Sequence, residues 1–180
     1  MKTSNVLTKA FIKTVLVSGF FVVNANAGLP ASPGWCQEQI QSICFTPGTK
    51  CEYLITRAID SAKSELLIQA YHITNREIIK HIISAKKRGV TVELIVDKAA
   101  QHEIESFINA DIPVWVDYKP KIAHNKVMII DQETIITGSF NFTQNALKNA
   151  ENVLVIKDTA VSKAYRDNFN ARLTQSEGAK

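Results

Sequence analysis

The stretch of this 180-residue chain with most chemical content runs from His124 to Asn141, HNKVMIIDQETIITGSFN. It sets a histidine, a lysine two residues on, Asp131 after four intervening residues and, after six more intervening residues, Gly138-Ser139-x-Asn141. At average residue usage, six specified types at fixed spacing arise by chance at about one start in 10⁸. The types suit phosphoryl transfer. Imidazole is a nucleophile near neutral pH and also serves as acid or base. A lysine ammonium holds phosphate oxygens as a point charge. Two apart in extended chain, His124 and Lys126 project from one face. Ser139 and Asn141 offer a hydroxyl and an amide for the non-bridging oxygens of a transition state. Asp131 stands at odd spacing from His124, so a regular strand sends it to the other face. It reads as structural support, accepting hydrogen bonds in a turn.

These residues need elements to position them. The spacing of Leu54, Ile55, Ala58, Ile59 and Ala62 predicts a helix over Cys51–Lys63, and the Ile78/Ile79/Ile82/Ile83 stripe predicts one over Asn75–Arg88, capped by Asn75 and ended by Gly89. Further helices are expected over Gln101–Asn109 and Ala160–Leu173. Short apolar or β-branched runs predict strands at Gln41–Phe45, Glu65–Tyr71, Val90–Val96, Pro113–Val116, Lys126–Ile130, Thr134–Thr137 and Asn152–Ile156. Strands alternating with helices imply one α/β domain, with a mixed, mostly parallel sheet flanked by helices on both faces.

Residues 1–27 read as a Sec signal peptide. Lys2, Lys9 and Lys13 start it, Thr14–Val23 is an apolar run, and Ala25-Asn26-Ala27 is a small-x-small cleavage site. The run is short for a membrane anchor, which needs about 20 apolar residues. Residues 28–40 form an exposed lead-in, 41–174 the catalytic domain and 175–180 a polar, frayed tail. The expected location is secreted or periplasmic. The leader holds three lysines and no acid, so its removal takes the net charge from +4 to +1. Net charge therefore gives no support for a nucleic-acid partner. The local clusters are Lys86-Lys87-Arg88, late in a predicted helix where cations suit the dipole, and Lys119/Lys121.

An exported chain with three cysteines suggests a disulfide. Cys44 and Cys51 bracket a turn-rich segment and are the favoured pair; Cys36 is left to pair between chains or stay reduced. A metal site is the weaker alternative, because no fourth ligand lies nearby and the first histidine is His72.

The His124–Asn141 stretch closely resembles the HKD motif of the phospholipase D superfamily. CFTPGTKC, AIDSAKSELLIQAYHIT, AKKRGVTVELIVD and GSFNFTQNALKNAENVLVI extend the resemblance to the family's small secreted bacterial endonucleases over nearly all of the mature chain. The resemblance implies the family's fold and a metal-independent, cofactor-free mechanism. One histidine forms a covalent phosphohistidine; a second acts as general acid and then general base. It also implies that an acid after the GSxN segment orients the histidine. Glu151 stands there, a residue that would otherwise read as a solvated loop acid. This chain carries one HKD motif, and none of His72, His81 and His102 has a lysine two residues on. A complete site then requires a homodimer with both His124 side chains at the two-fold axis.

Other residues carry weaker signals. Tyr71 and His72 end a strand, where α/β sites gather ligand groups; His72 replaces the serine more usual in the family. His81 reads as a surface residue. Trp35, Trp115 and Tyr118 could stack on bases, although packing is the plainer reading. Three functions follow: an endonuclease of low sequence specificity acting on DNA or RNA, a phospholipase D acting on lipid head groups, and a non-catalytic nucleic-acid-binding module. No amphipathic stretch rich in exposed aromatics argues for the second, and the intact His and Lys argue against the third.

Overall fold

Two halves of the chain build one sheet by different rules. In the first, helices separate the strands. After the edge strand β1 (Ile40–Phe45) come α1 (Lys50–Ser61), β2 (Glu65–Ala70), α2 (Arg76–Lys87) and β3 (Thr91–Asp97). The short helix α3 (Glu105–Ile108) leads to β4 (Val114–Asp117). Such crossovers return the chain in the same direction, and β2, β3 and β4 pair in parallel. In the second half the connections are too short for a crossover or contain only a 3₁₀ turn. Here β5 (Lys126–Ile130), β6 (Thr134–Gly138) and β7 (Asn152–Lys157) pair antiparallel, β5 joins β2 antiparallel and β1 joins β7 antiparallel. After α4 (Thr159–Leu173), the two-residue strand β8 (Glu177–Gly178) closes the far edge antiparallel to β4. The order is β1-β7-β6-β5-β2-β3-β4-β8. This corrects the expected mostly parallel sheet: it is mixed, and only the two pairings made by helical crossovers are parallel.

The computed structural model describes residues 39–179. The expected leader, its cleavage after Ala27, Trp35 and Cys36 lie outside the described residues. Among the described residues no helix is long and apolar enough to cross a membrane.

Helices cover both faces, as the alternation predicts. On one face α1 buries Ile55 and Ile59, and α2 buries Ile78 and Ile82, against Leu66, Ile68, Leu94 and Val96. On the other, Phe169 of α4 packs with Leu67, Ile95, Val127, Ile129 and Ile135, and Trp115 packs against that cluster. The Asn75 side chain accepts a bond from Ile78 N–H at 3.1 Å, which gives α2 its expected cap. Two local expectations change. Of 101–109, only Glu105–Ile108 is helical; ahead of it Glu103 turns to meet His72 and the Ile73 N–H. The tail expected to fray instead pairs with β4, with Ala179 N–H donating to Val114 O at 2.8 Å.

Candidate active site

His124 and Lys126 meet where β5 begins, at the end of the sheet where β2 and β3 finish. The strand starts at Lys126, so His124 lies in the lead-in. Pairing still reaches toward it, because Tyr71 N–H donates to Asn125 O at 2.9 Å. His124 is exposed and Lys126 is buried. The Lys126 ammonium donates to the His124 carbonyl at 2.6 Å, which fixes the cation against the main chain of His124. Tyr71, from the end of β2, holds the other side. Its ring centroid is 4.6 Å from that of His124, and the Lys126 Nζ lies 5.3 Å from it. Burial pushes the Lys126 pKa below the ordinary lysine range, while the Glu151 carboxylate pulls against that shift.

The GSxN residues sit across the sheet end, where β6 passes into its loop. Gly138 has φ +155°, and a Cβ there would stand 2.1 Å from the Asn152 carbonyl of β7. Only glycine lets the two backbones approach this closely. Ser139 N–H donates to that carbonyl at 3.1 Å, and Asn152 N–H donates to the Ser139 hydroxyl at 3.1 Å. The Ser139 hydroxyl donates in turn to Glu151 Oε2 at 2.6 Å, and Asn149 Nδ2 donates to Oε1 at 3.0 Å. In this arrangement the Ser139 proton expected for phosphate holds a carboxylate. Glu151 is bonded to Ser139 and Asn149, and among the described residues it makes no hydrogen bond to His124. The Asn141 amide oxygen is buried and has no donor among the described residues.

Asp131 lies at the opposite end of β5. It accepts from the backbone of Lys63 (2.9 Å), Ser64 (2.8 Å) and Glu65 (3.0 Å) and from the Ser64 hydroxyl (2.8 Å). That is the structural part read from its spacing: it ties the α1–β2 turn to the β5–β6 hairpin. Partial burial raises its pKa, but these bonds outweigh it and hold the carboxyl below the usual range.

The remaining singled-out residues divide. His72 Nδ1 lies 2.9 Å from Glu103 Oε1, with its ring 4.2 Å from Tyr71, so it stands near the site. His81 pairs with Asp60 at 2.7 Å. Tyr118 is exposed on the loop that carries Lys119 and Lys121 toward His124. Cys44 and Cys51 form the expected disulfide, Cα–Cα 5.5 Å. Sequence reasoning did not find Thr46 and Asn149, which shape the surroundings of Glu151; no motif marks a threonine that acts through backbone bonds.

An exposed histidine whose main-chain carbonyl holds a buried ammonium, at the end of a mixed α/β sheet, fits the phosphodiesterases. Residues 55–173 match the family described as cardiolipin synthase, PLD-like domain, and the chain belongs to the phospholipase D superfamily. It is 41% identical over 140 residues to a phospholipase D of Rickettsia prowazekii, covering 75% of this chain and 68% of that protein. It is 32% identical over 143 residues to a mitochondrial cardiolipin hydrolase of Chlamydomonas reinhardtii, covering 77% of this chain and 63% of that protein. Among solved structures it resembles Nuc from Salmonella typhimurium, a phospholipase D family member. That likeness has a TM-score of 0.72 and 34% identity, over 76% of this chain and 95% of that one. NucT from Helicobacter pylori is similar at TM-score 0.68 and 27% identity, over 76% and 97%.

Proposed function

We propose that the chain is a nuclease that cleaves DNA or RNA strands with little regard to sequence, working as a homodimer with one shared site. The observation that carries this reading is the His124–Lys126 unit, which presents its imidazole to solvent and keeps its cation fixed. His124 attacks phosphorus, forming a P–N bond as the P–O bond to the leaving oxygen breaks. The His124 of the second subunit gives that oxygen its proton. Water then attacks phosphorus and passes a proton to the same imidazole, and the P–N bond breaks to free the nucleophile. Lys126 and the amide of Asn141 hold the charge that grows on the non-bridging oxygens. The exposed Tyr118, Lys119 and Lys121, on the loop that leads into His124, suit a sugar–phosphate strand. The Cys44–Cys51 bond suits an oxidising compartment and so supports export.

A second reading, hydrolysis of phospholipid head groups, is favoured by the relatives called phospholipase D and cardiolipin hydrolase and by Ile122, exposed two residues from His124. One experiment decides. Plasmid DNA, single-stranded DNA, RNA, phosphatidylcholine and cardiolipin vesicles are each incubated with the protein in EDTA. The expected result is cleavage of nucleic acid that survives the chelator and disappears in His124→Ala. Release of head groups or cardiolipin products with nucleic acid left intact establishes the second reading instead. Loss of all activity in EDTA rejects a metal-independent step.

A further inference from the structure

The loop closed by the disulfide does more than join β1 to α1. Through Cys44 and Phe45 the β1 edge runs in register with Val153 and Asn152 of β7. Beyond that ladder the chain stays attached to the segment before β7. Thr46 N–H donates to the Glu151 carbonyl at 3.0 Å, and Glu151 N–H donates back to the Thr46 hydroxyl at 2.9 Å. The same hydroxyl donates to Asn149 O at 2.7 Å. Gly48 N–H then holds Leu147 O at 2.8 Å. Thr46 therefore grips both residues that matter to the Glu151 carboxylate: Glu151 itself, and Asn149, whose amide donates to it. Thr46 is buried, so its polar atoms have little access to water as a substitute partner. The Cys44–Cys51 bond closes the loop around it, with both sulfurs buried.

We propose that Thr46 is a positioning residue of the active site: held in the disulfide loop, it fixes the main chain that aims Glu151 at Ser139 and toward Lys126. The proposal rests on the reading in which Glu151 and Lys126 serve phosphodiester cleavage.

Thr46→Val keeps the branched shape and removes both hydroxyl bonds. With bis(p-nitrophenyl) phosphate as probe, kcat falls on the order of tenfold or more, as small misplacements of catalytic groups do, while KM changes little. Thr46→Ser, which keeps the hydroxyl, restores turnover. The pH profile separates positioning from general loosening. The groups that face the Lys126 ammonium are Glu151 from the loop before β7, Tyr71 from the end of β2 and the carbonyl of His124 from its own lead-in. Burial lowers the Lys126 pKa and the Glu151 charge raises it. Freed from its place, Glu151 no longer opposes burial, so Lys126 loses its proton at lower pH. The alkaline limb of kcat in Thr46→Val therefore moves to lower pH.

Glu151→Gln tells the two levels apart. If that variant turns over as the parent does, the reading of Glu151 fails. If it is impaired while Thr46→Val keeps both kcat and the alkaline limb of the parent, the proposal for Thr46 fails. Should Thr46→Val not fold, Cys44→Ala/Cys51→Ala leaves Thr46 in place but opens its loop. A lowered kcat with the same shift supports the proposal; parental kinetics overturn it.

Discussion

Asp131 and Glu151 are both carboxylates within reach of the informative stretch, and the fold uses them at opposite ends of the sheet. Asp131 collects the backbone of Lys63, Ser64 and Glu65 and the Ser64 hydroxyl. Removing it leaves those donors to water in a half-exposed turn, so Asp131→Ala should cost about 1–2 kcal/mol by thermal unfolding. The sign of its pH dependence follows from the lowered pKa. The stabilisation is present above the unfolded-state pKa and is lost as pH falls through the folded one. The deficit of Asp131→Ala against the parent should thus narrow in acid; a deficit that widens there would reject the assignment. This role was legible, because odd spacing from His124 and a place in a turn are local facts. Glu151 was legible only through the family resemblance, and Thr46 was not legible at all. Its bond to Glu151 joins residues 105 apart in the chain, and a loop threonine carries no periodicity.

At the level of elements, apolar periodicity foretold α1 and α2, which bury Ile55 and Ile59 and Ile78 and Ile82, and short apolar or β-branched runs foretold every strand but β8. Direction was harder to read. The alternation that implied parallel strands holds only through β4; from β5 on, short connections force antiparallel neighbours. β8 is too short and polar to leave a pattern, and it forms because α4 delivers the chain to the open edge of β4. Besides the packing of Phe169, α4 has a polar fastening. Arg172, in its last turn, donates Nε to Asp117 Oδ2 at 2.7 Å and a terminal nitrogen to Oδ1 at 2.7 Å, and Asp117 is 1% exposed. Arg172→Ala strands a buried carboxylate and should lower stability by about 3 kcal/mol in urea unfolding. Asp117→Asn/Arg172→Ala removes that charge and should recover part of the loss. If the double variant is less stable than Arg172→Ala, charge burial is not the cause.

For the whole molecule, the question is where the second imidazole comes from. His81 is tied to Asp60, away from the site. His72 is the rival within one chain, since its ring centroid lies 4.2 Å from that of Tyr71, which also packs 4.6 Å from the His124 ring. Its Nδ1 is engaged by Glu103, and Tyr71 packs against both imidazoles. General acid catalysis requires hydrogen-bond reach of the leaving oxygen; a two-fold partner can bring a second exposed His124 opposite the first. The two arrangements differ in how activity responds to dilution by dead subunits. When parent and His124→Ala chains are mixed in equal amounts and allowed to exchange, random pairing leaves about a quarter of the dimers with two histidines. A shared site therefore predicts about a quarter of the parental activity, falling as the square of the parental fraction. A site completed by His72 inside each chain predicts about half, in linear proportion. Linear dependence, together with loss of turnover in His72→Ala, would move the second histidine into the same chain. A quadratic dependence with His72→Ala still active leaves the partner's imidazole as the acid.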